Sequence, residues 1–138
     1  MDLTNRTARF ALALVTVTAW SMPIAAGQQR TSPVMVGGND GLDACMSYGE
    51  VVGLDPAGDG FLSVRAGPGT HHGEVDRLSL GTGAFACDEA TADDGTSWVG
   101  IVYGEECGVS SPIDGRHPYD GPCRSGWVHA DYFVITAG

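Results

Sequence analysis

Leu62-Ser63-Val64-Arg65-Ala66-Gly67-Pro68-Gly69-Thr70 carries an alternating pattern that stops abruptly at a turn. Leu62 and Val64 fall on one side of an extended chain and Ser63 and Arg65 on the other, the period-two signature of a half-buried strand. Gly67-Pro68-Gly69 ends it, because Pro fixes φ near the turn value and the flanking glycines tolerate any φ. A buried strand therefore feeds an exposed loop.

The same grammar repeats outward from that point. Met46 to Leu54 contains Tyr48, Val51, Val52 and Leu54 and reads as a strand, and Asp59-Gly60 turns the chain into Phe61-Leu62 as a hairpin dipeptide that accepts positive φ. Beyond the Gly-Pro-Gly turn, residues 71–80 read as a polar excursion anchored by Val75, Leu78 and Leu80. Ala84-Phe85-Ala86-Cys87 is a further strand, and Asp94-Gly95 leads into Trp98-Val99-Gly100-Ile101-Val102-Tyr103, the most β-prone run of the chain. After a Pro- and Gly-punctuated insertion from Glu105 to Arg124, Ser125 to His129 resumes the strand pattern. Ala130-Asp131-Tyr132 reads as one tight turn and Phe133-Val134-Ile135 as a last strand. Short strands divided by Asp-Gly turns, with no helical periodicity after residue 26, predict an all-β domain.

In order and spacing, Leu62 to Gly69, Leu78, Gly81, Trp98 with Ile101, and Gly126-Trp127-Val128-His129-Ala130-Asp131-Tyr132-Phe133 resemble the bacterial SH3 (SH3b) family. In that family a Val-Arg-x-Gly-Pro strand opens a small barrel and a Gly-Trp-Val strand closes it. The resemblance spans roughly residues 48–135 and implies an SH3-like barrel of five to six short strands. It further implies a shallow groove between loops, and binding of a cell-wall peptide or glycan, or of a periplasmic protein, without chemistry or cofactor. By the same resemblance Trp98 and Tyr132 line the groove, with Glu74 and Asp76 on the loop opposite. The Glu105–Arg124 insertion and the four cysteines depart from the family pattern. The Ala-Leu-Tyr-Asp-Tyr motif of eukaryotic SH3 domains is absent, so Pro-rich ligands are not implied.

The 138 residues suit one domain with a modest core. Residues 1–26 have the three parts of a secretory signal: a basic start, an apolar run from Phe10 to Trp20, and small residues up to Ala26. The run is too short for a permanent membrane anchor, so the predicted product is periplasmic or secreted. Residues 27–42, which mix Gln, Gly, Ser and Pro, read as a flexible leader, and 43–138 as the SH3b-like domain. All seven basic residues are Arg; without Arg6, Arg9 and Asp2 the formal charge moves from −10 to −11. Such a surface repels phosphate backbones, which excludes nucleic acid as an expected partner.

Cys45, Cys87, Cys107 and Cys123 are an even set in an exported chain, which favours disulfides over zinc, since no two lie closer than sixteen residues. Of the three pairings we prefer Cys107 with Cys123, closing the insertion, and Cys45 with Cys87, tying the first strand to a later one. A cysteine nucleophile paired with His117 or His129 needs a free thiol, which oxidation removes. His71-His72 lacks a third metal ligand, and residues 55–60 lack the register of a calcium loop. A non-catalytic binding module is the expectation, with a stand-alone secreted enzyme or enzyme inhibitor as the alternative.

Overall fold

The computed structural model describes residues 13–22 and 31–138. Nine strands follow in order: β1 Met35–Val36, β2 Ser47–Val51, β3 Leu62–Arg65, β4 Glu74–Leu78, β5 Gly83–Thr91, β6 Ser97–Tyr103, β7 His117–Pro118, β8 Arg124–His129 and β9 Phe133–Ala137. A single 3₁₀ turn, Ala130–Tyr132, joins β8 to β9 where a tight turn is expected. Among the described residues there is no α-helix, and no helix long and apolar enough to cross a membrane. Residues 13–22 are exposed and without regular structure; the expected cleavage point after Ala26 lies outside the described residues.

The all-β expectation holds. Seven antiparallel strands form one sheet in the order β4-β3-β8-β6-β5-β2-β9, and β1 pairs with β7 as a separate ribbon. The sheet is bent at irregularities where β9 pairs with β2, β4 with β3 and β5 with β6. It is open: β4 and β9 are its edges, where a closed ring of five to six strands was expected. The polar excursion at 71–80 also proves to hold a strand, β4, whose charged side chains hid its pairing with β3.

β6 lies in the middle of the sheet and is buried on both sides. Ile101 and Tyr103 point into a first core with Val51, Leu62, Val64, Leu78, Val128 and Phe133. Trp98 and Val102 point the other way, into a second core with Val34, Val36, Cys45, Cys107, Val109 and Trp127. Each fully buried aliphatic side chain contributes about 1.5–3 kcal/mol relative to exposure, so the second core is no minor appendix.

That second core corrects the reading of the leader as flexible for its described part, residues 31–42; residues 27–30 lie outside the described residues. Val34 and Val36 are 2% and 1% exposed. Their segment is tied down along its length: Met35 N–H donates to Asp88 Oδ2 at 3.0 Å, Tyr119 N–H to the Val34 carbonyl at 2.9 Å, and Trp127 Nε1–H to the Ser32 carbonyl at 2.6 Å. Gly100 makes room for it: a Cβ there would stand 2.8 Å from Asp88 Cβ and 3.1 Å from Val34 Cγ1. Both disulfides, Cys45–Cys87 and Cys107–Cys123, pair as preferred and lie in this layer. They join the leader to β5 and close the insertion over it. Two disulfides mark an oxidising compartment.

Candidate functional site: the Tyr132 depression

The turn Ala130–Tyr132 is held at both ends. His129 Nδ1 accepts the Asp131 N–H at 3.2 Å, and the Phe133 N–H donates to the Ala130 carbonyl. Val52 N–H donates to the Tyr132 carbonyl at 3.0 Å, so the turn is stitched to the end of β2. These bonds hold the backbone that presents Tyr132, which is 40% exposed.

Behind it stands an aromatic ladder. The Trp98 and His129 rings meet edge to face at 5.4 Å, and His129 and Tyr132 at 5.7 Å. In front, Tyr132 walls a depression of about 290 Å³, with Leu54, Asp55, Asp59 and Phe61 among its other lining residues. Asp55 Oδ1 accepts the Ala57 N–H at 2.9 Å and shapes the loop, leaving the second carboxylate oxygen and Asp59 at the rim. The Arg77 guanidinium sits 4.1 Å above the centroid of Phe61. Phe61 thus carries an intramolecular cation–π contact, with Arg77 itself not among the residues that line the depression.

The four residues expected in the groove are not brought together. Tyr132 is at the surface as expected. Trp98 is 3% exposed and belongs to the second core, its Nε1–H donating to Thr96 Oγ1 at 2.9 Å. It does not line the depression, and its ring meets that of His129 behind Tyr132. Glu74 accepts from Ser63 Oγ at 2.5 Å and from Arg77 Nε at 2.7 Å, and these bonds hold its carboxyl below the usual range, the Ser63 bond foremost. Asp76 accepts from the Arg77 N–H, the Tyr103 hydroxyl and Arg124 Nη1 at 2.8, 2.8 and 2.9 Å. These partners, the backbone N–H first, lower its pKa, while burial pushes the Tyr103 phenol up.

Glu74 and Asp76 therefore brace β4 against its neighbours, and neither lines the Tyr132 depression. The carboxylates that do, Asp55 and Asp59, lie in a segment legible from sequence only as a hairpin turn. Nothing in the local pattern announces that this turn faces Tyr132, 73 residues beyond Asp59.

All four cysteines are in disulfides. His71 and His72 lie against each other, ring centroids 4.2 Å apart. Among the described residues no group of three His, Cys, Asp or Glu side chains is arranged to hold a metal ion. Compared with protein-family models, curated proteins and solved structures, the chain has no match.

Proposed function

We propose that this chain is an exported, non-catalytic binding module of the bacterial SH3 kind, recognising a cell-wall fragment, a peptide or a periplasmic protein. The observation that carries the reading is Tyr132, fixed on its turn and exposed across a hollow from Asp55 and Asp59. An aromatic wall with a carboxylate rim suits a ligand with a cationic group on a flat or apolar body. The SH3b resemblance is supported by the adjacency of its two motif strands: β3 and β8 are neighbours, with Arg65 opposite Trp127. Export is supported by the two disulfides and by the apolar run near the start.

The test is calorimetric titration of the oxidised protein with soluble peptidoglycan fragments that carry a free amine. Tyr132→Ala is expected to weaken binding by about 1–3 kcal/mol, the range for an aromatic anchor. Removing both rim charges with Asp55→Asn and Asp59→Asn should slow association and reduce its salt dependence. Unchanged binding by folded Tyr132→Ala protein would place the site elsewhere, and turnover of the fragments would replace the binding module with an enzyme.

A further inference from the structure

The two edges of the seven-stranded sheet are built differently. The β4 edge carries Glu74, Asp76 and Arg77, charges that keep an edge from pairing with another chain; each edge strand also holds one extra residue against its neighbour, Val75 in β4 and Thr136 in β9. The β9 edge reads Phe133-Val134-Ile135-Thr136-Ala137, without charge, Pro or Gly, and Val134 and Ile135 are 44% and 49% exposed. Its hydrogen-bonding phase follows from its neighbour. Because the Tyr132 carbonyl accepts from Val52 and Val134 pairs with Glu50, Val134 bonds inward to β2. Ladder bonds alternate, so the Phe133 carbonyl and the Ile135 N–H and carbonyl project from the free side.

The side chains of that edge meet a cavity. Phe133 pairs with Val51 and Ile135 with Gly49, on the first-core face of the sheet; Val134 and Glu50 lie on the opposite face. On the first-core face Phe133, Ile135, Ala86 and Val99 line a hollow of about 470 Å³, whose rim includes Asn39 and Glu89. The volume lies in the range of small-ligand pockets. Asp88 and Arg116 also border it, but they satisfy each other at 2.6 Å. The Glu89 carboxylate makes no hydrogen bond or ion pair with the described residues, so the rim offers one free negative charge in a chain of net charge −10.

We propose that the free edge of β9 and the hollow beside it form a strand-addition site for an extended cationic peptide segment, separate from the Tyr132 depression. A strand hydrogen-bonded to Ile135 sends every second side chain to the face of Phe133 and Ile135. There an apolar side chain enters the hollow and an Arg or Lys reaches Glu89. The acidic field selects a basic partner over a second copy of this chain, which would bring the same charge.

The probe is a capped eight-residue peptide alternating valine and arginine, followed by fluorescence anisotropy with the full oxidised chain. Two further peptides carry N-methyl groups on alternate residues, each blocking one hydrogen-bonding edge. The expected result is that one methylated peptide loses about tenfold in affinity, as the loss of two or more backbone bonds requires, while the other binds like the parent. Ile135→Arg should weaken the parent by a similar factor and Val134→Arg, the same charge on the opposite face, by far less. Glu89→Gln should weaken it several-fold where Glu50→Gln does not, and Tyr132→Ala should leave it unchanged, so the two sites fail independently. Equal binding by both methylated peptides reduces the contact to charge alone and overturns the proposal. So does absence of binding, or a concentration-dependent dimer that Ile135→Arg abolishes, which would assign the edge to a second copy.

Discussion

The two faces of the sheet are made of the same strands and differ in where their partners come from. The first core draws on β2, β3, β4, β5, β6, β8 and β9, strands that pack against one another across the bend of a single sheet. The second draws one side from β6 and β8 and the other from residues 34–45 and 107–123, which contribute only two-residue strands. The first face is held by alternation of apolar residues within strands. The second is held by cross-links, by backbone bonds such as Cys45 N–H to the Val109 carbonyl at 3.1 Å, and by two tryptophans. A segment with almost no regular strand can thus be core if another segment covers it.

Substitutions that act on one face measure how far the layers depend on each other. The largest effect is expected at Trp98→Ala, about 3–5 kcal/mol by denaturant unfolding, because a buried aromatic is removed from the second core. If the layers are one cooperative unit, hydrogen exchange should rise at Ile101 and Val128 as well as at Val34; a rise confined to Val34 would make the second layer a separable unit. Next come the disulfides. In the chain-entropy model, replacing both Cys45 and Cys87 by Ser costs about 4 kcal/mol and replacing both Cys107 and Cys123 about 3, and chemical denaturation of the two variants checks that order.

Gly100→Ala tests the close approach of the leader. The added methyl meets Asp88 Cβ and Val34, and overpacking of this kind costs about 1–3 kcal/mol. A neutral result would mean that β1 can withdraw without loss. The smallest effect concerns the β4 braces. Glu74 and Asp76 have pKa values lowered in the folded state, so their contribution is complete above the unfolded carboxylate value of about 4 and is lost as pH falls below it. Asp76→Asn should lower stability most at pH 7, where the carboxylate still holds Arg124 and the Tyr103 hydroxyl, and flatten the acid limb so that the two proteins converge as pH falls below about 4; the loss is small, because the Arg124 side chain is exposed. An unaltered acid limb would show that the brace does not act on folding.

Alternation at Leu62–Arg65 and the dense β run at 98–103 made the strands of the first core legible, and the even cysteine count with its spacings made disulfide bonding legible. β4 was hidden because Glu74, Asp76 and Arg77 carry no apolar period; its place is set by Leu78 and by pairing with β3. Of the expected site, Tyr132 was placed at a groove by the SH3b resemblance alone; the turn pattern gave only its position at the end of a tight turn. The inward turn of Trp98 was not legible, because an alternating strand does not say which of its faces a distant segment will cover.

The sequence by itself determined the all-β class, the breaks between strands, the expectation of disulfides and the acidic surface, since each follows from local period, turn chemistry or composition; which cysteines pair was a preference that the structure decided. Only the tertiary structure decided that both faces of β6 are buried, that Val34 and Val36 are core, that Glu74 and Asp76 are occupied within the molecule, and that Asp55 and Asp59 stand opposite Tyr132. Each of these depends on contacts between residues far apart in the chain, whose geometry is fixed by how the sheet bends and what folds over it.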